Sequence, residues 1–278
     1  MDGYTEILFE IADHVAVITL NRPEAYNALS DVMRDDLRRA IQYINEHTDD
    51  IRVVVLTGAG KAFCAGGDIK LMKQRIEAGT TYRERLDTYQ KDVADMVLRF
   101  RSIRQPMIAA LNGATYGAGC SIAMLCDIRV ASEKAKFGLP FGRRGLIPDW
   151  GATYFLPRIV GTANAIMLSS TGTSFDAEEA RRIGLVDRVV PADGLMDHVR
   201  ALCDEMLLSS PGALMMGKSA IYDSMSMSLG DALKAEGEAQ SRCYTSDDHR
   251  EGGGLLPREA AACIHREING GGRGTPAR

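Results

Sequence analysis

The stretch from Leu111 to Val130 constrains the fold of this chain more than any other. It follows a short apolar segment and places Gly113, Gly117 and Gly119 directly before a run of small residues that favours a helix. Glycine permits a positive φ and a close backbone approach, and the first N–H groups of a helix lack partners within it. The stretch therefore predicts a strand, a tight turn and a helix whose free amides can hold a negative oxygen. A turn in which glycine serves packing alone stays open at this point.

A second loop of the same kind lies upstream, from Lys61 to Lys70, and follows the apolar segment Ile51 to Thr57. Both loops come after predicted buried strands, at the sheet edge where open α/β sheets bind ligands. Neither loop has the GxxxxGK[ST] or GxGxxG pattern, which argues against nucleotide hydrolysis and dinucleotide binding. Two N–H donors from separate loops that converge on one oxygen would form an oxyanion hole.

The rest of the chain predicts an α/β fold. Val15 to Leu20 is a β-branched strand, Ser30 is the N-cap of an amphipathic helix, and Ile51 to Thr57 is the next strand. This order predicts a parallel pair with a right-handed crossover. We expect a core over residues 1–190, a helical C-terminal region over 191–266 and a disordered tail over 267–278. The later helices are predicted at Leu195 to Leu208, Ala213 to Met227 and Leu229 to Tyr244.

Composition excludes several classes of function. A formal net charge of -4 argues against general nucleic-acid binding. No apolar run approaches the roughly 18 residues that a membrane span needs, and the acidic N-terminus does not resemble a signal peptide. The six cysteines form no CxxC pair or metal-binding spacing. We therefore expect a cytoplasmic protein with no membrane association, no metal and no disulfide.

Four motifs in order resemble the enoyl-CoA hydratase/isomerase (crotonase) family, and the resemblance extends from about residue 5 to residue 252. They are "LNRPEAYNALS", "KAFCAGGDIK", "NGATYGAGCSIAMLCDIRVAS" and "GLIPDWGATYFLPRIVG". The resemblance implies a spiral ββα core, a helical C-terminal part used for trimerisation, and an acyl-CoA thioester as substrate. It implies a homotrimer or a hexamer, and no cofactor besides the coenzyme A of the substrate. The backbone amides of Gly67 and Ala118 would form the oxyanion hole.

The chain departs from the family at the positions whose side chains determine the type of reaction. Hydratases of the family use two glutamates, and the matching positions here are Ser121 and Phe141. Asp149 matches a position at which several isomerases of the family carry an acid. A single carboxylate can take a proton from C2 of a 3-enoyl-CoA and return it to C4. Burial beside Trp150, Phe141 and Leu146 would raise the pKa of Asp149. The alternative is that Asp149 accepts hydrogen bonds from turn amides.

By motif position, the resemblance also implies residues that contact the substrate. These are Arg22, Ala25, Ala65, Gly66, Asp68, Ile69, Lys70, Tyr116, Gly117, Phe141, Leu146 and Trp150. Arg22 and Lys70 are the candidates for CoA phosphates, although exposed basic residues are usually solvated. For Asp68, we favour a role in fixing the conformation of its loop. Tyr116 either lines the acyl tunnel or packs against the protein interior.

Three functions follow as hypotheses. The first is an isomerase that moves the double bond of an enoyl-CoA, with Asp149 as the base. The second is an enoyl-CoA hydratase, or another lyase of the family, that uses Asp149 and an ordered water. The third is a non-catalytic acyl-CoA binder that kept the pocket without the glutamates.

Overall fold

The computed structural model describes residues 3–254, and it gives side-chain surroundings up to residue 250. The chain divides into two compact units, Met1–Met215 and Met216–Arg278. The first unit contains both sheets and the two glycine loops, so it is the unit that matters for the site. The predicted tail, 267–278, lies outside the described residues.

A six-stranded sheet forms the centre of the first unit, in the order β1-β2-β3-β5-β7-β10. Only β1 is antiparallel to its neighbour; the other strands of this sheet are parallel. β2 and β3 form the parallel pair that the sequence predicts. The strand bounds are β1 Ile7–Ala12, β2 Val15–Leu20, β3 Val53–Gly58, β5 Met107–Leu111, β7 Ile128–Ser132 and β10 Arg188–Val190.

A smaller sheet of very short strands supports the two glycine loops. Its order is β4-β6-β8-β9, with the first three strands parallel and β9 antiparallel. The bounds are β4 Ala62–Cys64, β6 Ala114–Tyr116, β8 Lys136–Gly138 and β9 Phe175–Asp176. β4 leads into the first glycine loop and β6 into the second, so their pairing holds the two loops side by side.

Helix α1, Asp31–Glu46, covers the sheet as the sequence predicts. The Ser30 side chain accepts a hydrogen bond from the Met33 N–H and caps the helix. Leu37, Ala40 and Ile41 are among its buried residues, on the helical spacing expected for a core-facing side.

The remaining helices of the first unit follow in chain order, with a π-helical stretch between α3 and α4. The bounds are α2 Ile69–Glu77, α3 Tyr82–Thr88, a π-helix Tyr89–Ala94, α4 Asp95–Ser102, α5 Ala118–Ala123, α6 Ala152–Val160, α7 Thr162–Thr171, α8 Ala177–Arg182 and α9 Leu195–Leu207. Helix α10, Pro211–Ser224, crosses from the first unit into the second. The second unit continues with α11, Leu229–Tyr244, and α12, Asp247–Gly254.

The core of the first unit lies on both faces of the main sheet. One face packs under α1 and α4, and the other packs Val53, Val55 and Ile108 against α9. Because Leu195 and Val199 of α9 are buried on that face, this helix belongs with the sheet. The first unit extends to Met215. The division at residue 190 that the sequence suggests stays a prediction. Among the described residues, no helix combines the length and the apolar character needed to cross a membrane.

Candidate active site

The first glycine loop turns away from β4 at Gly66, whose φ is +96°. The Gly66 N–H donates to the Cys64 Sγ at 3.4 Å, and the Leu29 N–H donates to the Gly66 carbonyl at 2.8 Å. Burial raises the pKa of the Cys64 thiol to about 12, so it stays protonated at neutral pH. These bonds use both polar groups of Gly66, whereas the N–H of Gly67 donates to none of the described residues.

The second glycine loop presents its amide at the start of α5. Gly117 has φ +52° and donates its N–H to the Gly138 carbonyl at 2.9 Å, which ties the loop to β8. Ala118 is the first residue of α5, so its N–H has no partner inside the helix. Within the described part of the chain, that N–H donates to nothing else.

The two loops lie in direct contact. A Cβ added to Gly66 would come within 2.8 Å of the Tyr116 carbonyl oxygen and 3.2 Å of the Ala118 nitrogen. A Cβ added to Gly119 would lie 2.1 Å from the Cys64 carbonyl oxygen. Real Cβ atoms do not approach backbone this closely, so both positions require glycine. The glycines therefore serve packing, and that packing sets the loop that carries the unpartnered Gly67 amide against the loop that carries the unpartnered Ala118 amide. Their convergence on one oxygen stays a prediction.

Asp149 stands in a tight turn just before α6. Trp150 and Gly151 both have positive φ, +54° and +79°, and the Ala152 N–H donates to the Asp149 carbonyl at 3.0 Å. The carboxylate Oδ1 is buried and has no hydrogen-bond partner in the structure. The alternative for Asp149 was a carboxylate that accepts hydrogen bonds from turn amides. Among the described residues, its own main-chain N–H is the one turn amide that acts on the carboxylate.

Burial raises the pKa of Asp149 to about 6, and the positive charge of Arg85 opposes part of that shift. The predicted rise in pKa is therefore confirmed, and so is the burial of Phe141 and Trp150, at 8% and 4% exposure. Leu146, the third expected neighbour, is different: it is 47% exposed. The backbone turns it outward, while the Leu146 N–H donates to the Phe141 carbonyl at 3.0 Å.

The helical stretch 82–102 lies beside this turn. A Cβ on Gly151 would contact the Val97 side chain at 3.3 Å. Arg85 and Tyr89 both interact electrostatically with Asp149. Neither residue was predicted from the sequence, where the stretch shows only an amphipathic helical pattern.

The two positions that would hold glutamates in a hydratase are occupied differently. Ser121 is fully buried, and its Oγ donates to the Gly117 carbonyl at 3.3 Å, inside the second loop. The Phe141 ring lies against Gly117, with Cζ 3.9 Å from where a Cβ on that glycine would be. Ser121 therefore stabilises the second glycine loop, and Phe141 covers that loop with its ring. Ala118, Phe141 and Trp150 belong to one buried cluster.

Asp68 fixes the first loop. Its Oδ1 accepts the N–H groups of Lys70 and Leu71 at the start of α2, and its Oδ2 pairs with the Arg22 guanidinium at 3.1 Å. Desolvation acts against these bonds, but together they lower the pKa of Asp68. Arg22 also pairs with Glu6 at 3.1 Å and donates to the Ala28 carbonyl at 2.7 Å. Its contact with CoA phosphates stays a prediction.

The other predicted substrate-contact residues fall into two groups. Tyr116 packs over Gly138 and its hydroxyl bonds to Ser174 at 2.5 Å, which gives it a structural partner. Ala65, Ile69 and Lys70 are exposed on the first loop and the start of α2, and Ala25 is half-buried. Their contacts with a substrate stay predictions.

Comparison with known proteins bears on the family of this chain. A sequence model of the enoyl-CoA hydratase/isomerase family matches residues 10–255. A probable enoyl-CoA hydratase of Mycobacterium bovis is 36% identical over 264 residues, which cover 95% of this chain and 99% of that protein. A short-chain-enoyl-CoA hydratase of Clostridium acetobutylicum is 37% identical over 246 residues, covering 88% and 92%.

Solved structures show the same relation. An enoyl-CoA hydratase of Bacillus anthracis superimposes with a TM-score of 0.83 at 34% identity, covering 89% of this chain and 94% of that one. The crotonase-like α/β core that the motifs imply is therefore confirmed. The protein belongs to the enoyl-CoA hydratase/isomerase family.

Proposed function

We propose that this protein is an enoyl-CoA isomerase that converts a 3-enoyl-CoA into the 2-enoyl-CoA. The Gly67 and Ala118 amides hydrogen-bond the thioester oxygen. Asp149 removes a proton from C2, and the electron pair of that C–H bond moves into a dienolate whose negative charge rests on the thioester oxygen. Protonation at C4 by Asp149 then completes the new C2–C3 double bond, restores the carbonyl and regenerates the carboxylate.

The observation that supports this most is the buried, unpartnered Oδ1 of Asp149. Its pKa of about 6 leaves most of the carboxylates ionised at neutral pH while making each a stronger base than an exposed aspartate. A thioester α-proton is too weakly acidic for such a base unless the oxyanion is stabilised. Loss of one oxyanion-hole donor costs about 3 kcal/mol of transition-state stabilisation in a known case.

The residues at the two glutamate positions favour isomerisation over hydration. Hydration needs a group that activates water and one that protonates the neighbouring carbon. Ser121 is engaged with the Gly117 carbonyl, and Phe141 has no ionisable group. A single carboxylate that moves one proton between two carbons needs neither.

A hydratase is the second candidate, because relatives in Mycobacterium bovis and Clostridium acetobutylicum carry that name. It would have to use Asp149 both to activate a water and to return the proton. The two candidates act on different substrates, so product analysis separates them directly.

The deciding experiment supplies the purified protein with a 3-enoyl-CoA and a 2-enoyl-CoA, each over a series of chain lengths. Isomerisation predicts that the first becomes a 2-enoyl-CoA and that the second gains no water. A 3-hydroxyacyl-CoA formed rapidly from the 2-enoyl-CoA, with the 3-enoyl-CoA left unchanged, would favour the hydratase instead. The homotrimer or hexamer, and the CoA contacts of Lys70 and Arg22, stay predictions that belong to this proposal.

A further inference from the structure

The segment between β2 and α1 holds the first glycine loop on both sides of Gly67. The Leu29 N–H donates to the Gly66 carbonyl at 2.8 Å, and the Asp68 N–H donates to the Leu29 carbonyl at 3.4 Å. These two bonds form an isolated parallel β-bridge between Leu29 and Gly67. The bonded groups belong to the residues before and after Gly67, so the bridge leaves the Gly67 N–H unused.

The bridge also sets the direction of the Gly67 N–H. The Gly66 carbonyl and the Gly67 N–H belong to one peptide group, which is planar and trans, so they point in opposite directions. Because Leu29 holds the carbonyl, the N–H points away from Leu29. A displacement of Leu29 would tilt this peptide plane and turn the amide with it.

Arg22 closes the bridge from the side with a single nitrogen. Its Nη1 donates to the Ala28 carbonyl at 2.7 Å, directly before Leu29, and to the Asp68 Oδ2 at 3.1 Å, directly after Gly67. Nη1 carries two N–H groups, and these two acceptors engage both of them. The guanidinium therefore ties the two strands of the bridge together.

Glu6 holds the other side of the Arg22 guanidinium. Its Oε1 pairs with the Arg22 Nε at 3.1 Å, and its Oε2 accepts from the hydroxyl of Ser30, the N-cap of α1. The Arg22 side chain is 18% exposed, so these ion pairs are largely shielded from water. Nε and Nη1 are therefore directed at the protein and not at a phosphate in solution.

The backbone between Arg22 and Ala28 is strained and firmly held. Tyr26 and Asn27 both have positive φ, +51° and +56°. The Asn27 side chain accepts from the Arg22 N–H at 2.8 Å and donates to the Ala62 carbonyl at 2.8 Å, while the Ala65 N–H donates to the Tyr26 carbonyl at 2.9 Å. Strained backbone persists where its surroundings over-determine it, and it clusters at functional sites.

We propose that Arg22 is a positioning residue for the Gly67 amide. It ties the residue before Leu29 to the residue after Gly67, and it so fixes the peptide group whose N–H binds the thioester oxygen. The inference rests on the proposed function, because it needs that amide to act on that oxygen. It differs from the contact with CoA phosphates that the motif position of Arg22 implies, and the two roles predict different kinetics.

The first test measures hydrogen bonding to the thioester oxygen without turnover. The probe is a saturated acyl-CoA with ¹³C at the thioester carbonyl, whose infrared stretch moves to lower frequency when its oxygen accepts hydrogen bonds. The wild type should lower this frequency relative to the free thioester. Arg22→Met should lose roughly half of that shift, because one of the two donors is misdirected.

Arg38→Met is the matched control. The Arg38 side chain is 24% exposed and pairs with Asp92 at 3.3 Å and Asp95 at 3.2 Å, so it is an equally shielded arginine whose partners lie outside both glycine loops. This variant should keep the full carbonyl shift and the wild-type kcat. An equal loss of the shift in both variants would overturn the inference, because it would reflect a general loss of structure.

The second test separates positioning from phosphate binding. Arg22→Met should lower kcat by about tenfold to a hundredfold, because a misdirected donor stabilises the transition state poorly. KM, and the affinity for free CoA measured by calorimetry, should change little. Weaker binding of free CoA and a raised KM at unchanged kcat would assign Arg22 to the phosphates and overturn the inference.

The third test removes the same contact from its other end. Asp68→Asn keeps an oxygen for the Lys70 and Leu71 amides but places an NH₂ group where Oδ2 accepts from Arg22. It should lose kcat and carbonyl shift as Arg22→Met does. The double variant should lie within about twofold of either single one, because both break one contact. Additive losses would show that Arg22 does not act through Asp68 and would overturn the inference.

The outcomes separate the inference from the proposed function. A wild-type carbonyl stretch equal to that of the free thioester would overturn the amide pair of the proposed function, and the inference with it. If the wild type shows the shift while Arg22→Met and Asp68→Asn keep both it and the wild-type kcat, the positioning role is wrong and the isomerase proposal stands. Should Arg22→Met fail to fold, Asp68→Asn decides alone: a lost shift supports the inference, and a retained one overturns it.

Discussion

The two glycine loops and the Asp149 turn lie in the same unit but differ in which groups they present, backbone amides in the loops and a side-chain carboxylate in the turn. In the loops, the groups that matter are backbone amides, and the side chains are absent because Gly66 and Gly119 touch neighbouring backbone. In the turn, the backbone conformation serves to hold one side chain, the Asp149 carboxylate, in a buried place. The amides would suit any reaction that forms a thioester enolate. Under the proposed function, the side chains at 121, 141 and 149 determine which reaction follows.

Under the proposed function, this difference explains how family membership and reaction can separate in this protein. The chain matches the family over residues 10–255, yet neither glutamate position holds a carboxylate. Backbone geometry is tightly constrained by packing, whereas a side chain at the edge of a pocket can change with little cost to the fold. Similarity over the whole sequence therefore indicates the presence of the amide loops better than it indicates which residue acts as the base.

The largest effect is expected where backbone contacts are broken. Gly66→Ala should lower turnover by about a hundredfold to a thousandfold, because the new Cβ would push the two loops apart and remove an oxyanion donor. The matched control is Gly79→Ala, which also has a positive φ, +70°, but has nothing within 4 Å of an added Cβ. Steady-state rates and melting curves of both variants make the measurement. Equal losses of activity would show that backbone strain, rather than loop contact, is responsible.

The buried Asp149 carboxylate, in contrast, should lower the free energy of unfolding at neutral and alkaline pH. Its folded pKa, about 6, lies above the unfolded value, 3.8, so the folded protein binds more protons between these pH values. The contribution of Asp149 to the free energy of unfolding is then most favourable below pH 4, and it falls by up to about 3 kcal/mol as the pH rises through 6. Asp149→Asn should therefore be more stable than the wild type at pH 8, and the advantage should vanish near pH 4.

Denaturant unfolding of the two proteins at several pH values checks this expectation. A constant difference across the whole range would mean that Asp149 is not buried in the way described. The amide loops offer no such pH dependence, since no ionisable group supplies their donors.

Arg85 should have a smaller effect on the same carboxylate. Its positive charge lowers the pKa of Asp149, so Arg85→Gln should move the acidic limb of the rate profile to higher pH. Because Arg85 is exposed, the loss of rate at pH 6 should not exceed about threefold and should disappear in 1 M salt. Arg83→Gln is the control, since Arg83 pairs with Asp87 at 3.4 Å. A shift that persists in high salt would contradict simple charge interaction.

The smallest effect is expected at Ser121. Ser121→Ala removes one hydrogen bond to the Gly117 carbonyl and should leave kcat for the 3-enoyl-CoA within about twofold. The same assay with a 2-enoyl-CoA provides the comparison. A loss of a hundredfold or more would show that this position takes part in chemistry despite lacking a carboxylate.

Much of the main sheet could be predicted from local sequence. Val15–Leu20 is a strand at the predicted bounds, because a short β-branched run bounded by turn residues is a strong signal. The first strand, Ile7–Ala12, was missed although Ile7 and Phe9 alternate with exposed residues. The small sheet gives no such signal, since strands of two or three residues form only through partners distant in sequence.

Helices α6 and α7, which directly follow Asp149, were missed for a physical reason. Helix α6 contains Pro157, and Gly151, Gly161 and Gly172 have positive φ at the boundaries of α6 and α7, so the segment resembles a loop in sequence. The candidate site shows the same limit. The glycine loops were predictable because each follows a strand, while the contact between Val97 and Gly151 follows a π-turn that no local pattern indicates.

The most direct test of the account is the turnover of a 3-enoyl-CoA by Asp149→Asn. Asparagine preserves the size of the side chain but cannot accept the C2 proton, so the two amides should still bind the thioester while the double bond stays where it is. The account predicts unchanged binding of a saturated acyl-CoA, measured by calorimetry, and a loss of kcat of about a hundredfold or more. Turnover at the wild-type rate would contradict it.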